Sequence, residues 1–277
     1  MFKLRVITGS IMAVAFLLSL FLLPPIGFTV FITLVLLAGA WEWSNLSSFE
    51  LTYQRIIYCL SVITAIGALA FYMGAFSGKI SLSSVREVLL VACAWWAIAL
   101  LWIQGYPSSG ILWGARWIRA LMGYLVLVPA WVALVYLYQV NNGPWFILLV
   151  MLTVFVADTG AYIFGKALGK RKLAKHVSPG KSWEGFLGGL FCCVVLAIAI
   201  HFLTHFGTWQ SLLVVLLCTS SVSVVGDLLE SMIKRHRGIK DSGHMLPGHG
   251  GMMDRLDSIT AAAPVFVIGA ILFGWVS

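Results

Sequence analysis

The chain has 277 residues and a formal net charge of +8, and 61% of its residues are hydrophobic while only 10% are charged. Soluble globular proteins contain roughly 45–50% apolar residues, so this composition excludes an ordinary water-soluble domain. The apolar runs continue for about 20 residues without alternation, which excludes open β-structure and a β-barrel. We therefore expect an all-α, polytopic integral membrane protein.

The apolar segments, taken in chain order, predict about nine transmembrane helices. Lys3 and Arg5 precede the first segment, which we expect to be an uncleaved span because it is longer than the apolar region of a signal peptide. Trp41, Glu42 and Trp43 follow the second segment and are interpreted as an interfacial belt, with Glu42 also able to face inward. The segments cover approximately residues 6–23, 26–40, 56–76, 85–103, 117–138, 145–164, 183–202, 212–231 and 259–276.

Basic residues are concentrated in two loops, 166–182 and 234–240. Short basic loops remain on the cytoplasmic side of a membrane, so a cytoplasmic N-terminus places both loops in the cytoplasm, while Lys79 and Arg86 fall on the opposite side. Some of these bases are expected to neutralise a polyanionic ligand, such as a nucleoside triphosphate or a phospholipid head group. We expect one membrane domain over 1–277, with a helical scaffold over 1–140 and catalytic helices and cytoplasmic loops over 145–277.

The eighth and ninth segments carry acidic residues where the membrane begins, and such residues mark substrate or ion sites by default. Asp254 and Asp257 share one face at the start of the ninth segment, because they are three residues apart. Two acids on facing helix ends can bind Mg²⁺, which usually takes one or two carboxylates plus substrate phosphates. In the eighth segment, the spacing i, i+3, i+4, i+7 predicts one helical face for four residues: Asp227, Glu230, Ser231 and Lys234.

An alternative interpretation of these charges is structural. In it, Asp227–Lys234 and Asp254–Arg255 are ion pairs that close a helix hairpin.

The turn 248–251 between the two helices is rich in glycine, so its backbone can approach a ligand closely and offer N–H groups to phosphate oxygens.

The loop 177–185 resembles a P-loop but is not one, because Lys175 stands where the pattern requires glycine. Ser178, Lys181 and Ser182 precede a predicted helix, whose N-terminus favours anions. An equally weighted interpretation is a plain helix cap, with Ser182 as N-cap and Glu184 in the first turn. Asp158 is a buried acid of the sixth segment, and it either lines a polar cavity or pairs within the helix packing.

The sequence resembles a known family in three blocks, all from residue 157 onward. The longest reads Ser231-x-x-Lys234-Arg235-x4-Lys240-Asp241-x4-Leu246-Pro247-Gly248-His249-Gly250-Gly251-x-x-Asp254-Arg255-x-Asp257. The others are Ser178-Pro179-x-Lys181-Ser182-Trp183-Glu184-Gly185 and Ala157-Asp158-Thr159-Gly160-Ala161-Tyr162. These blocks resemble those of the phosphatidate cytidylyltransferases, also called CDP-diacylglycerol synthases.

The resemblance implies transfer of a cytidylyl group from CTP to phosphatidic acid, giving CDP-diacylglycerol and pyrophosphate for phospholipid biosynthesis. It also implies a homodimer in the cytoplasmic (inner) membrane, an active site facing the cytoplasm, and no nucleic-acid partner. Mg²⁺ would be bound by Asp227 and Asp254, and the resemblance suggests a second ion, for which K⁺ is a candidate. The expected catalytic residues are Asp227, Asp254, Lys234, Arg235 and Asp257. The expected substrate-binding residues are Ser178, Lys181, Ser182, Glu184, Ser231, Lys240, His249, Gly250, Gly251, Arg255 and Asp158.

Two other functions are compatible with intramembrane acids beside basic loops. A CTP-dependent lipid kinase would attack the terminal phosphate of CTP rather than the α-phosphate. An ion-coupled transporter would also use acids near broken helices, but transporters usually show inverted repeats with sites at the bilayer midplane. Here the acids are predicted to cluster at one face of the membrane.

Overall fold

The structure, a computed structural model, describes the backbone of residues 2–75 and 80–276, and the side chains from residue 7 onward within these ranges. Nearly all of this part of the chain is helical. The elements are α1 Phe2–Leu22, α2 Pro25–Leu46, α3 Thr52–Tyr72, α4 Leu82–Gln104, α5 Gly110–Trp113, α6 Arg116–Gln139, α7 Gly143–Leu168, β1 Lys172–Ala174, β2 Ser178–Ser182, α8 Trp183–Thr204, α9 Trp209–His236 and α10 Met253–Leu272.

The expected class, a polytopic helical membrane protein, is confirmed. Within the described residues, eight helices (α2–α4 and α6–α10) are long and apolar enough to cross a membrane. A helix of about 20 residues spans the roughly 30 Å of bilayer hydrocarbon. The described apolar part of α1 is the shorter Ile7–Leu22, so the count of nine stays a prediction. The side chains of Lys3 and Arg5, and the whole of Lys79, lie outside the described residues.

Helix α6 lies at the centre of the bundle, where it contacts α2, α3, α4, α7 and α10. The most apolar 18-residue stretch of α6 is 83% buried, far more than the corresponding stretch of any other described span. Two polar anchors fix neighbouring helices to its first turns. Trp43 of α2 donates its indole N–H to the carbonyl of Arg119 at 2.8 Å, and Tyr58 of α3 donates to the carbonyl of Ala120 at 3.0 Å.

Helix α2 continues through residues 41–43, so the expected interfacial belt is wrong for two of them. Trp43 is 1% exposed and Glu42 is 3% exposed, and both face the interior of the bundle. The sequence does not show which face of α2 is buried, because every face of this helix is hydrophobic. The inward alternative that the sequence left open for Glu42 is the correct one.

Helix α8 packs closely against α7 at Gly185 and Gly189. A Cβ atom would lie 2.8 Å from the carbonyl oxygen of Ala161 at Gly185, and 2.6 Å from that of Ala157 at Gly189. Only glycine therefore lets the α8 backbone approach α7 so closely. Because this face is used within the chain, it offers no support for a homodimer.

The all-α expectation requires one correction. Strands β1 and β2 form a short antiparallel hairpin between α7 and α8, with Lys172 opposite Ser182 and Ala174 opposite Ser178. Strands this short in a lysine-rich segment leave no periodic hydrophobic signal in the sequence. Strand β2 contains the first residues of the Ser178–Gly185 family block, and α8 begins directly after it at Trp183.

Candidate active site

The C-terminal end of α9 and the start of α10 bring together the charged residues that the spacing predicted. Lys234 places its Nζ 2.6 Å from Asp254 Oδ1 and 3.2 Å from Glu230 Oε2. The Lys234 side chain is 11% exposed and that of Glu230 is 1% exposed, so water screens these pairs weakly. Asp257 interacts electrostatically with Glu230, Lys234 and Asp227. We name the five residues the α9–α10 charge cluster: Asp227, Glu230, Lys234, Asp254 and Asp257.

The cluster differs from the hairpin ion pairs that the sequence suggested as an alternative. Lys234 pairs with Asp254 across the two helices rather than with Asp227, and Arg255 donates to the His249 carbonyl at 2.8 Å rather than to Asp254. Four carboxyl groups meet two lysines, Lys181 and Lys234, so the site carries an excess of acidic groups. Such an excess favours a bound cation.

A first cavity of about 380 Å³ lies between α7, α8, α9 and the hairpin. Lys181 and Asp227 line it and form an ion pair of 2.5 Å, and Ser231 donates to Asp227 at 3.2 Å. Asp158 also lines it and interacts electrostatically with Lys181 and Asp227. The cavity therefore joins the second and third family blocks to the end of α9. Asp158 is exposed rather than buried, and its place on the cavity wall agrees with the polar-cavity interpretation.

The hairpin residues divide into cavity-lining and supporting groups. Ser182 lines the first cavity and also caps α8, because its Oγ accepts the Gly185 N–H at 3.1 Å. Glu184 accepts the backbone N–H groups of Lys170 and Arg171 at 2.9 and 3.1 Å, so its contacts close the hairpin base. Ser178 starts β2 away from the cavity lining.

Arg235 connects the hairpin to α9. Its Nε donates to the carbonyl of Val177 at 3.3 Å, and Val177 is a buried residue of the hairpin turn. The expected role of Arg235 in phosphate neutralisation therefore competes with a role in positioning the hairpin.

The segment 237–252 between α9 and α10 is held by two carboxylates. Asp254 Oδ2 accepts the N–H groups of Ser242 and Gly251 at 3.1 and 2.8 Å. Glu42 Oε2, from the distant α2, accepts from Ser242 Oγ and from the Met253 N–H, both at 2.8 Å. Glu42 thus ties the interior of this segment, at Ser242, to the first residue of α10. Its one sequence signal was a lone acid in an apolar helix.

A second cavity, of about 730 Å³, opens where the glycine-rich turn folds back. We name residues 246–251 the glycine loop; a bridge between Leu246 and Gly250 closes it. Gly248 and Gly250 have φ values of +81° and +82°, a conformation that side-chain-bearing residues rarely adopt. Lys240, His249, Gly250 and Arg255 line this cavity, whereas Gly251 is buried against Glu42 and Ser242.

No ready-made group of three metal ligands occurs among the described histidine, cysteine, aspartate and glutamate residues. Asp227 is engaged by Lys181 and Asp254 by Lys234 instead. Glu230 is missing from the expected site residues, yet it is the most deeply buried acid of the charge cluster. Both of its oxygens are inaccessible to solvent, and its polar neighbours in the cluster are Lys234 and Asp257.

The fold and this site define a class of protein: a polytopic helical membrane protein with a charged, phosphate-compatible centre at one end of its bundle. Comparison with known proteins then gives the family. Residues 3–273 match the model of the Cytidylyltransferase family, so the chain belongs to that family.

Three relatives are named phosphatidate cytidylyltransferase. The one from Pseudomonas aeruginosa is 43% identical over 277 residues, which cover 99% of both chains. The one from Haemophilus influenzae is 37% identical over 286 aligned positions, covering 96% of this chain and 97% of the relative. One from Staphylococcus aureus strain COL is 47% identical over 130 residues, which cover 46% of this chain and 50% of the relative. The family resemblance found in the sequence is confirmed, and it extends over the N-terminal helices as well.

Proposed function

We propose that this protein transfers the cytidylyl group of CTP to phosphatidic acid, giving CDP-diacylglycerol and pyrophosphate. Full-length relatives carry the name of this activity. One structural observation carries the proposal: the α9–α10 charge cluster lies between two polar cavities. Asp227 and Lys181 line the first, and Asp254 borders the glycine loop of the second. Two anionic substrates can thus approach one centre from two sides.

The reaction places two polyanions next to each other. An oxygen of the phosphatidate phosphate attacks the α-phosphorus of CTP, and the bond to the β-phosphate oxygen breaks as pyrophosphate leaves. Because the attacking phosphate monoester is already anionic, no strong general base is needed. The protein's task is electrostatic, and preorganised positive groups in a partly desolvated site perform it. We assign CTP to the first cavity, where Lys181 would neutralise its phosphates. Lys234 would stabilise negative charge on the transferring α-phosphate.

The carboxylates fit a divalent ion. The cluster carries four acids against Lys181 and Lys234, and both oxygens of Glu230 are buried within it. We propose that Asp227 and Asp254 hold Mg²⁺, with Asp257 beside them for a second ion, which could be K⁺. Substrate phosphates would complete the ligand set, as is usual for Mg²⁺. When bound, the ion would act as a Lewis acid that stabilises charge on the transferring phosphate.

The site's side of the membrane follows from charge. The basic hairpin and the basic end of α9 extend from the same end of the bundle, and basic loops remain in the cytoplasm. We therefore propose a cytoplasmic active site in the inner membrane. Cysteine introduced at exposed Gly180 should react with an impermeant maleimide in inverted vesicles but not in right-side-out ones. The homodimer stays a proposal from family resemblance, which native mass spectrometry in detergent can test.

A labelling experiment tests the reaction. Purified protein is incubated with Mg²⁺, phosphatidic acid and CTP labelled at either the α- or the γ-phosphate. We expect only the α-label to enter the lipid fraction. Entry of the γ-label alone would favour the lipid kinase. Label confined to water-soluble products would refute both enzymatic functions and favour the ion-coupled transporter.

A further inference from the structure

Beside the second cavity lies an apolar groove of about 510 Å³ between α1, α2, α6, α7 and the start of α10. Among the described residues that line it, Arg255 is the charged one; the others are apolar. Arg255 also lines the second cavity. One guanidinium therefore stands at the junction of a polar cavity and a hydrophobic groove.

The polar side of this junction suits a phosphate. Lys240 and Arg255 line the second cavity together with two histidines, against a single acid, Asp241. The planar guanidinium of arginine matches phosphate oxygens in a bidentate manner. The first cavity carries two acids, Asp158 and Asp227, and therefore suits a nucleotide bound together with Mg²⁺ better than a lipid phosphate alone.

The apolar side suits an acyl chain. On α10 the groove extends from Met252 to Ile259, a rise of about 10 Å along the helix, so it reaches into the hydrocarbon layer. Met12 and Phe16 of α1 and Phe31 of α2 also line the groove. Cavities of this size commonly hold a drug-sized ligand or a comparable part of a larger one.

Helix α1 connects the two regions. Its Thr8 donates a hydrogen bond to the carbonyl of Pro247 in the glycine loop at 3.1 Å. One turn later α1 lines the groove, while Ile11 and Val14 on its outer face are 62% and 54% exposed. A lipid in the surrounding bilayer would therefore reach the groove beside α1 without crossing water.

We propose that the groove and the second cavity together form the binding site for phosphatidic acid, with an acyl chain along α1 and α10 and the phosphate at Arg255 and Lys240. This inference rests on the proposed function and extends it. It assigns the two substrates to opposite sides of the α9–α10 charge cluster: nucleotide beside α7 and α8, lipid beside α1. It also gives the N-terminal helix, which the sequence placed in the scaffold, a substrate-binding role.

Groove filling tests the acyl-chain part. Ala13 lines the groove, whereas the adjacent Val14 faces lipid, so Ala13→Phe and Val14→Phe form a matched pair. Ala13→Phe should raise the KM for dioleoyl phosphatidate about tenfold, as steric loss in an apolar pocket does. The KM for CTP and the rate with soluble dihexanoyl phosphatidate should not change. Equal effects of the two variants, or an equal loss with both lipids, would overturn the groove assignment.

Arg255→Gln tests the phosphate part, with Arg86→Gln on an exposed face of α4 as its control. The loss of a charged hydrogen bond should raise the KM for phosphatidate roughly 10- to 100-fold and leave the KM for CTP unchanged. A selective rise in the KM for CTP would instead place the nucleotide in the second cavity and overturn the proposal.

Photo-crosslinking separates this inference from the proposed function. Phosphatidate with a diazirine in its acyl chain is added to the full chain in phosphatidylcholine vesicles, and cross-linked peptides are mapped. Labelling of α1 and α10 that unmodified phosphatidate competes away supports the site, even if cytidylyl transfer is absent. Active transfer with labelling confined to α7, α8 and α9 would refute the site while leaving the function intact. Labelling equally competed by phosphatidylcholine would show a nonspecific lipid contact and also refute it.

Discussion

Replacing Lys234 with methionine removes the cation that the α9–α10 charge cluster shares. Lys234 pairs with Asp254 at 2.6 Å and with Glu230 at 3.2 Å, and all three side chains are at most 11% exposed. Methionine has a similar length but no charge, so the carboxylates of α9 and α10 would face one another without a lysine between them. Removing one partner of a buried ion pair typically costs about 3–5 kcal/mol, mainly because the remaining charge stays buried.

The change is measurable as thermal stability. A loss of this size should lower the unfolding midpoint by on the order of 10 °C for a chain of this length. Tryptophan fluorescence in detergent can follow unfolding, since the chain has 12 tryptophans. Lys175→Met is the matched control, because Lys175 is exposed at the hairpin turn. In the Lys234→Met background, Glu230→Gln should recover part of the stability by removing one buried charge.

A Lys234→Met midpoint equal to that of the Lys175→Met control would refute the reasoning. It would mean that the carboxylates are already neutralised by protons or by a bound ion. Destabilisation without any recovery from Glu230→Gln would show instead that Lys234 acts through its contact with Asp254 alone.

Three further predictions follow from the supports of the site. Glu42→Gln should leave the fold intact but lower the rate of transfer about tenfold and speed proteolysis of the 237–252 segment, because a neutral amide accepts the segment's hydrogen bonds more weakly; unchanged proteolysis would refute this role. Gly251→Ala should abolish activity because its Cβ would overlap the Glu42 carboxylate, whereas Gly180→Ala, whose Cβ meets open space, should resemble wild type in the same assay. Asp158→Asn should raise the KM for CTP about tenfold with no change for phosphatidate, since Asp158 and Lys181 both line the first cavity; an equal rise for both substrates would contradict it.

The sequence predicted those features that depend on local periodicity and composition. Eight of the predicted spans have matching helices in the described chain, because long apolar runs have one solution in lipid. The four polar residues of α9 fall on one side because their spacing follows the helical repeat. The N-cap role of Ser182 is equally local, since it depends on residues three positions apart.

The remaining features depend on contacts between distant residues. Glu42 meets Ser242 across 200 positions of sequence, and nothing in a uniformly apolar helix shows which of its faces is buried. Lys234 could have paired with Asp227 on its own helix, and only the packing of α9 against α10 selects Asp254. The separation of the polar residues into two cavities likewise depends on tertiary packing. The division into a 1–140 scaffold and a 145–277 catalytic half stays a prediction, although Glu42 already contacts the site from the N-terminal side.

The most direct test of the central claim is transfer of the α-label from CTP to phosphatidate by Asp227→Asn and Asp254→Asn, compared with wild type and Glu50→Gln. Glu50 is an exposed acid in the α2–α3 connection and serves as the control. Wild type and Glu50→Gln should label lipid in the presence of Mg²⁺. Both aspartate variants should lose labelling while they retain the wild-type elution volume in size-exclusion chromatography. Wild-type rates from either aspartate variant would contradict the claim that the α9–α10 charge cluster is the catalytic centre.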